Sequence, residues 1–235
     1  MKRFQVEKEY KGYDVIQYLK EVKGYSSRGI KNAEIYVNNK KVKGAKKLRY
    51  LQVVKVVEKE KEVNIPPVKM ELNIIHEDKE LLILNKQPFL IVHPTLKKDA
   101  VSLASGIIYY YKEKGIDFVP RFYNRLDMNT SGLIVIAKSG FAQAFLQNQG
   151  EVKKNYIAVV KGIVEKDEFF IEKKIGLSED GIKREISENG QEAKTHVKVL
   201  KRDIQKGITL VELEIFTGRT HQIRVHMSSL GHPVI

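Results

Sequence analysis

Hydrophobic and polar positions along the first sixty residues predict a small folded module. Apolar residues recur at helical spacing in the segment 12–23, and Gly24 follows it as a stop signal. A second short helix is predicted over 28–32. The pattern EIYVNNKKV at 34–42 predicts a hairpin that turns at two Asn residues, and the alternation at 48–59 predicts a strand.

From residue 70 onward, strand patterns are interspersed with helix patterns. The remaining predicted elements, in chain order, are two strands around the polar turn HEDKE (76–80), a helix from about 99 to 114, a buried strand LIVIAK (133–138), a helix capped by Ser139 and stopped by Gly150, strands at 155–162 and 208–216, and a helix HQIRVHMSSL (221–230) capped by Thr220. In the last helix, Ile223, Met227 and Leu230 form the predicted buried stripe. Many strands with helices set among them predict an α+β fold with a largely antiparallel sheet.

Charge divides the chain in the same way. Residues 1–70 hold 18 basic and 8 acidic residues, a net charge of +10, whereas residues 71–235 hold 24 and 21, a net charge of +3. We therefore predict a small basic module at 1–60, a linker at 61–69 that contains two Pro residues, and a second domain at 70–235. A basic module beside a near-neutral domain indicates binding to nucleic acid, although a Lys-rich surface without a partner gives the same count.

Several classes of protein are disfavoured by what the sequence lacks. There is no Cys, hence no disulfide and no thiolate metal site. The N-terminus has no apolar signal region and no apolar run approaches the length of a membrane span, so we expect a cytoplasmic protein that does not engage a membrane. No HExxH, GxGxxG, GxxxxGK[ST] or GxSxG motif occurs, so we expect no metal, no nucleotide cofactor and no elbow-type hydrolase.

Three residues stand out as candidates for chemistry. Asp127 lies in a polar loop that leads into a wholly apolar strand, a placement that suits a nucleophile or an acid/base group. The residue chemistry alone favours the alternative, an Asx-turn residue that caps the loop. Arg219 follows Gly218 at the start of a predicted helix, where anions bind, unless it is only a surface residue beside a cap. Tyr156 on its strand could stack on a base or belong to the core.

The second part of the chain resembles the pseudouridine synthases of the large family that modifies ribosomal and transfer RNA. The segments that carry the resemblance are IIHEDKELLILNKQPFLIVHPT (74–95), NRLDMNTSGLIVIAK (124–138), KKNYIAVVKG (153–162), NGQEAKTHVKVL (189–200) and GRTHQIRVHMSSLGHPVI (218–235). Each motif alone is weak, whereas their order and spacing are specific. The segment 12–60 more distantly resembles a small RNA-binding module first known from a small-subunit ribosomal protein.

The resemblance implies a fold and roles for five residues. It implies a catalytic domain with a mixed, mostly antiparallel sheet flanked by helices, beside a small α/β RNA-binding module. Asp127 matches the catalytic aspartate and Arg219 the Arg that pairs with it. Tyr156 matches the aromatic ring that stacks on the target uracil. Arg125 matches the Arg that fills the gap left by the flipped nucleotide, and Ile223 matches an apolar contact to the base.

The implied activity is isomerisation of uridine to pseudouridine in RNA, a reaction that needs no cofactor. The oligomeric state is open, with a monomer as the default expectation. Large-subunit ribosomal RNA is favoured over transfer RNA because members with such an N-terminal module act on it. The candidate RNA-binding residues are Arg28, Lys31, Lys40, Lys41 and Arg224. A carboxylate glycosidase is disfavoured because no second carboxylate has comparable placement.

The chain also departs from the family pattern. Asn124 stands where many members have His, and Phe89 stands where Gly is usual. Family members continue past HPVI, so we expect the chain to be incomplete at its C-terminus. That expectation leaves a second hypothesis open, in which the chain is a catalytically impaired RNA-binding fragment.

Overall fold

The computed structural model describes residues 1–42, 46–58, 65–94, 101–148 and 152–235, with only the backbone of Arg28 and Glu58. The chain divides into two compact units, Met1–Gly150 and Glu151–Ile235. The predicted module at 1–60 and the start of the predicted second domain both belong to the first unit, and linker residues 61–64 lie outside the described residues. The domain boundaries drawn from the sequence stay a prediction.

Helices of the first unit begin where polar side chains can cap them. Helix α1 (Val15–Gln17) starts after Asp14, whose side chain accepts from the Gln17 backbone N–H at 2.8 Å, and it continues as a π-helix over Tyr18–Val22. The other helical segments of this unit are a 3-10 turn Lys8–Tyr10, α2 (Ser27–Lys31), α3 (Leu103–Lys112) and α4 (Gly140–Asn148).

Two of these helices test the predicted helix boundaries. The predicted cap of α4 is confirmed, since the Ser139 hydroxyl accepts from the Ala142 N–H at 3.0 Å, while the predicted stop at Gly150 lies outside the described residues. Helix α3 begins later than the predicted residue 99, because Ser102 and Ser105 form a reciprocal capping box.

The first sheet of this unit has the strand order β1-β4-β2-β3 and covers one apolar cluster. Its strands are β1 (Lys2–Gln5), β2 (Ala33–Val37), β3 (Lys40–Val42) and β4 (Val53–Glu58). The hairpin with its Asn38–Asn39 turn is confirmed, β1 was not predicted, and β4 begins later than the predicted residue 48. The delay has a local reason, because Leu51 adopts a left-handed backbone (φ 66°) in the turn before the strand.

The second sheet of the unit has the order β5-β6-β8-β7. Its strands are β5 (Ile74–Glu77), β6 (Leu81–Lys86), β7 (Arg121–Phe122) and β8 (Gly132–Ala137). Ile134 and Ile136 of β8 are fully buried, as the apolar run predicted.

The second unit is built on a four-stranded sheet of order β10-β13-β14-β9 with a separate hairpin, β11-β12. Its elements are β9 (Asn155–Lys161), β10 (Glu168–Glu172), β11 (Ile175–Leu177), β12 (Arg184–Ile186), β13 (Lys194–Asp203), β14 (Ile208–Ile215) and α5 (Gln222–Ser228). Val211 and Leu213 of β14 are buried, as its alternation predicted, whereas β10, β11 and β12 were not predicted.

Two predictions about α5 are wrong. The N-cap is His221 in a left-handed conformation (φ 57°) without a side-chain cap bond, rather than Thr220. Leu230 is 39% exposed, because the helix ends at Ser228 and the buried face is formed by Gln222, His226 and Met227.

The α+β class is confirmed. Within the described ranges every pair of named strands is antiparallel, and a single isolated parallel bridge joins Ile91 to Ser102. No helix of the described chain is both long and apolar enough to cross a membrane.

Candidate active site

The loop that carries Asp127 joins β7 to β8 and is held by side-chain bonds to β8. Asn124 donates its side-chain amide to the Leu133 carbonyl and accepts from the Val135 N–H, both at 2.9 Å. The Thr130 N–H donates to the Asp127 carbonyl at 3.1 Å, which closes a turn at the aspartate. Asn124, which departs from the family's usual His, therefore acts as a backbone-like partner that ties the loop to the sheet.

A buried lysine anchors the same loop from the other side. Lys86, the last residue of β6, is 1% exposed, and its ammonium donates to the carbonyls of Gln87, Leu90 and Met128 at 2.9, 2.9 and 3.1 Å. Burial lowers the pKa of Lys86, and the negative charge of Asp127 acts in the opposite direction. Three carbonyl acceptors match the three N–H bonds of an ammonium, so the charged form satisfies every partner.

Arg125, two residues before Asp127, is exposed and lies near the loop that follows β6. Partial desolvation of the ring and then the positive charge of Arg125 hold the pKa of His93 below its usual range. The His93 ring packs edge-on against Phe122 of β7, with 4.5 Å between ring centroids. The first unit therefore brings Asp127, Arg125, Lys86 and His93 into one neighbourhood.

Tyr156 and Ile223 lie in the second unit and share one apolar cluster. Tyr156 of β9 pairs with Leu213 of β14, and its partly buried ring packs against the core that Met227 and Leu213 help to form. Ile223 on α5 packs against the same cluster. An aromatic face backed by packed apolar side chains is rigid enough to support a stacked base.

Arg219 is held at both its backbone and its side chain. Its N–H donates to the Gln222 side-chain oxygen, and its Nε donates to the Glu192 carbonyl, each at 3.0 Å. Arg219 and Arg184 line one groove of the second unit, together with Gly176 and Gly190. The close backbone approach beside this groove requires glycine, because a Cβ on Gly190 would lie 2.5 Å from the Ile175 carbonyl carbon.

Three buried polar side chains hold the turn that contains Arg219. None of them was predicted from the sequence as a site residue. Gln222 donates to the hydroxyl of Thr195 at 3.0 Å, and that oxygen lies 2.9 Å from His226 Nδ1. His226 Nε2 lies 3.0 Å from the Lys173 carbonyl, which can only accept, so Nε2 carries the proton and Nδ1 accepts from Thr195. Burial lowers the pKa of His226, which favours this neutral form. Gln222 and His226 are four residues apart and therefore share one helix face, and this spacing is the sequence feature from which they could have been predicted as a pair.

The predicted RNA-binding residues lie on several different elements of the described chain. Lys31 is exposed at the end of α2, and the side chain of Arg28 lies outside what the structure describes. Lys40 and Lys41 are both exposed on β3, but as neighbours on a strand they point to opposite faces of the sheet. Arg224 is exposed on α5 in the second unit.

The candidate residues offer one carboxylate, Asp127 on its anchored loop, together with several cationic side chains. Across the described ranges, no group of three His, Cys, Asp or Glu side chains is arranged to hold a metal ion. Asp127 and Arg125 belong to the first unit, and Tyr156, Arg219 and Ile223 belong to the second. The roles assigned to these five residues stay predictions.

The chain is similar to known proteins over most of its length. The sequence profile described as RNA pseudouridylate synthase matches residues 80–229. An uncharacterized RNA pseudouridine synthase of Bacillus subtilis, YjbO, is 38% identical over 188 residues, which cover 78% of this chain and 66% of that protein. Ribosomal large subunit pseudouridine synthase D of Neisseria meningitidis is 36% identical over 214 residues, which cover 87% and 56%.

A solved structure agrees with these matches. Human RNA pseudouridylate synthase domain containing 1 superposes with a TM-score of 0.59 at 26% identity, covering 75% of this chain and 70% of that one. The chain spans between about half and two thirds of the length of the curated relatives it matches.

Proposed function

Because the chain belongs to the RNA pseudouridylate synthase family, we propose that it isomerises uridine to pseudouridine in RNA, with Asp127 as the catalytic residue. The observation that supports this most is the position of Asp127. It lies within the segment that matches the family, on a loop tied to β8 by Asn124 and to β6 by the buried Lys86. A functional carboxylate on a loop needs such anchoring to keep its geometry.

The proposed reaction needs no external reactant. The bond between N1 of uracil and the sugar carbon breaks, the uracil turns, and its carbon five bonds to the sugar. The hydrogen on carbon five leaves to water and N1 gains one, so atoms and electrons balance. Asp127 assists this exchange as nucleophile or base, and Arg219 keeps the role that the resemblance implies for it, that of the Arg which pairs with the catalytic aspartate.

The target base must leave its stack before it reacts, which costs a few kcal/mol. Stacking on Tyr156, worth about 1–3 kcal/mol, offsets part of this cost, and Ile223 adds an apolar contact. Arg125 fills the space that the base vacates. The packing of Tyr156 and Ile223 on one cluster supports their joint role.

For the substrate, we propose large-subunit ribosomal RNA. The support is the similarity to relatives named ribosomal large subunit pseudouridine synthase D, together with the net charge of +10 in residues 1–70. Transfer RNA is the alternative that the experiment must separate.

Tritium release tests the proposal. The purified chain is incubated with unmodified transcripts carrying tritium at carbon five of uridine, one of large-subunit ribosomal RNA and one of transfer RNA. We expect release from the ribosomal transcript, and Asp127→Asn should lower the rate at least about 100-fold, the lower bound for loss of an acid–base group.

The exposed Asp117 offers a matched control, since Asp117→Asn changes the same charge in the same unit. The control should release tritium at the wild-type rate. Binding without release by a folded wild-type chain would overturn the proposal and favour an RNA-binding protein without catalysis. Release from the transfer RNA alone would overturn the choice of substrate.

A further inference from the structure

The sheet β1-β4-β2-β3 has one face covered by the core and one open face. Its register places Arg3, Lys55, Tyr36 and Lys41 directly opposite one another on successive strands. Residues on either side of them in sequence, such as Val54, point into the core. These four side chains therefore form one line across the open face, which we call the basic row.

Two cations of the basic row have no acidic partner among the described residues. Within the described part of the chain, no carboxylate pairs with Arg3 or Lys55, and the Lys55 ammonium lies 5.4 Å from the centre of the Tyr36 ring. At the end of the row, Lys41 pairs with Glu34 at 2.5 Å. The positive charge of the row is thus concentrated at Arg3 and Lys55.

Tyr36 is fixed between these charges. Its hydroxyl donates to Glu34 at 2.7 Å, which pins the ring on the sheet surface, and the side chain is only partly buried. An aromatic ring held on an open sheet and flanked by cations is an arrangement by which sheets bind single-stranded RNA.

A groove with a volume of about 320 Å³ runs beside the same two cations. It is lined by Arg3, Lys55, Val53 and the turn residues Asn38 and Asn39. The Asn38 side chain accepts from the Val53 N–H at 2.9 Å, so the turn is bound to β4 and the groove keeps its shape. Two cations beside side-chain amides match the charge and hydrogen-bonding needs of a phosphodiester.

We propose that the basic row binds a single-stranded segment of the RNA substrate, with phosphates at Arg3 and Lys55 and a base on Tyr36. The inference rests on the proposed function in assuming an RNA substrate, and it adds a docking surface on a sheet other than the one that carries the Asp127 loop. It differs from the sequence-based candidates, because Lys31 lies on a helix and Lys40 faces away from the row.

Charge removal tests the phosphate contacts. Binding of the full-length chain to a fluorescent oligouridylate of about 12 nucleotides is measured by anisotropy over a range of salt concentrations. Each phosphate contact to a single strand contributes about 0.7 to the slope of log affinity against log salt, so Arg3→Gln with Lys55→Gln should lower the slope by about 1.4.

A matched pair of variants controls for net charge. The double variant Lys8→Gln with Lys11→Gln also removes two positive charges. Both positions are exposed, near in sequence to Arg3, and outside the strands of the sheet. The control should keep the wild-type slope. An equal loss in both double variants would overturn the proposal in favour of diffuse electrostatics.

The ring has its own test. Tyr36→Ala should weaken binding between about fivefold and 150-fold, the range expected for one stacked base, whereas Tyr36→Phe keeps the ring and should bind like wild type. If Phe weakens binding as much as Ala, the hydroxyl bond to Glu34 matters rather than stacking, and the proposed base contact is wrong.

Tritium release separates the two proposals. Wild-type release together with unchanged RNA affinity in every row variant would overturn the basic row alone, and would favour a protein partner for this face. A wild-type chain that neither binds RNA nor releases tritium would overturn the proposed function and this inference together.

Discussion

Replacing Lys86 by Met tests whether the buried ammonium holds the Asp127 loop. Met has a similar length and no charge, so Lys86→Met removes three hydrogen bonds with little change in packing. The carbonyls of Gln87, Leu90 and Met128 would lose their donor, and the last of these belongs to the residue that follows Asp127.

The expected loss of stability follows from the contacts. A hydrogen bond from a charged group contributes about 1.5–3 kcal/mol, and at the lower value three contribute roughly 4–5 kcal/mol. Removing a charge that is 1% exposed recovers about half of this, because burying an ion is costly. We therefore expect Lys86→Met to lower the free energy of unfolding by about 2–3 kcal/mol.

The effect on catalysis should exceed the effect on binding. A displacement of about 1 Å at a reacting group can lower a rate about 100-fold, so we expect kcat for tritium release to fall 10–100-fold while KM changes little. Urea denaturation and steady-state kinetics measure the two effects. Lys79→Met, at an exposed position in the turn before β6, is the control and should leave both unchanged.

A Lys86→Met chain as stable and as active as wild type would refute the reasoning. It would mean that the desolvation cost of the ammonium cancels its hydrogen bonds, and that Asn124 alone keeps the loop in place.

Three further substitutions follow from the same kind of reasoning. Burial raises the pKa of Glu77, but hydrogen bonds from Tyr110 and Tyr111 and the nearby Lys138 lower it to about 2. Because the folded pKa lies below the unfolded one, this stabilisation is present above about pH 4.5 and lost towards pH 2. Glu77→Gln should cost about 1–2 kcal/mol at pH 7 and nothing near pH 2, measured by urea denaturation at each pH. Burial also lowers the pKa of His226, so thermal stability should fall as the pH drops below about 6.5, and His226→Gln should make that fall shallower, leaving the part that His93 contributes. Phe89 is 80% exposed with a φ of 64°, so Phe89→Gly should stabilise the chain by about 0.5–1 kcal/mol in urea, whereas Phe89→Ala should not.

The sequence pattern predicted those elements that are stabilised by residues close together in the chain. The Asn38–Asn39 turn was predictable because Asn tolerates the left-handed backbone that such a hairpin needs. The apolar run of β8 and the Ser139 cap of α4 were predictable for similar reasons. Phe89, which stands where the family usually has Gly, adopts a positive φ, the backbone conformation for which Gly is best suited.

Features that depend on distant pairing could not be predicted in this way. Strand β1 is four residues long and gains its partner only from β4, more than forty residues away. The basic row exists only because that pairing places Arg3 beside Lys55. Nothing in the local sequence indicates this neighbourhood.

Both units bury polar groups beside a candidate functional residue. The buried polar side chains of the described chain are Lys86, Ser102, Ser105, Thr195, Thr209, Gln222 and His226. Four of these seven act on the Asp127 loop or the Arg219 turn: Lys86 on the former, and Thr195, Gln222 and His226 on the latter.

A buried polar group is costly unless its partners are well placed, so it stabilises one loop geometry and penalises its alternatives. Hydrophobic periodicity reports only which apolar side chains are buried. It therefore recovers the strands that support the candidate site, while the polar contacts that shape the site leave that periodicity unchanged. Loss of kcat on Lys86→Met with Tyr156 and Arg219 intact would locate this shaping in the first unit. Loss of kcat on His226→Gln would locate it in the second unit.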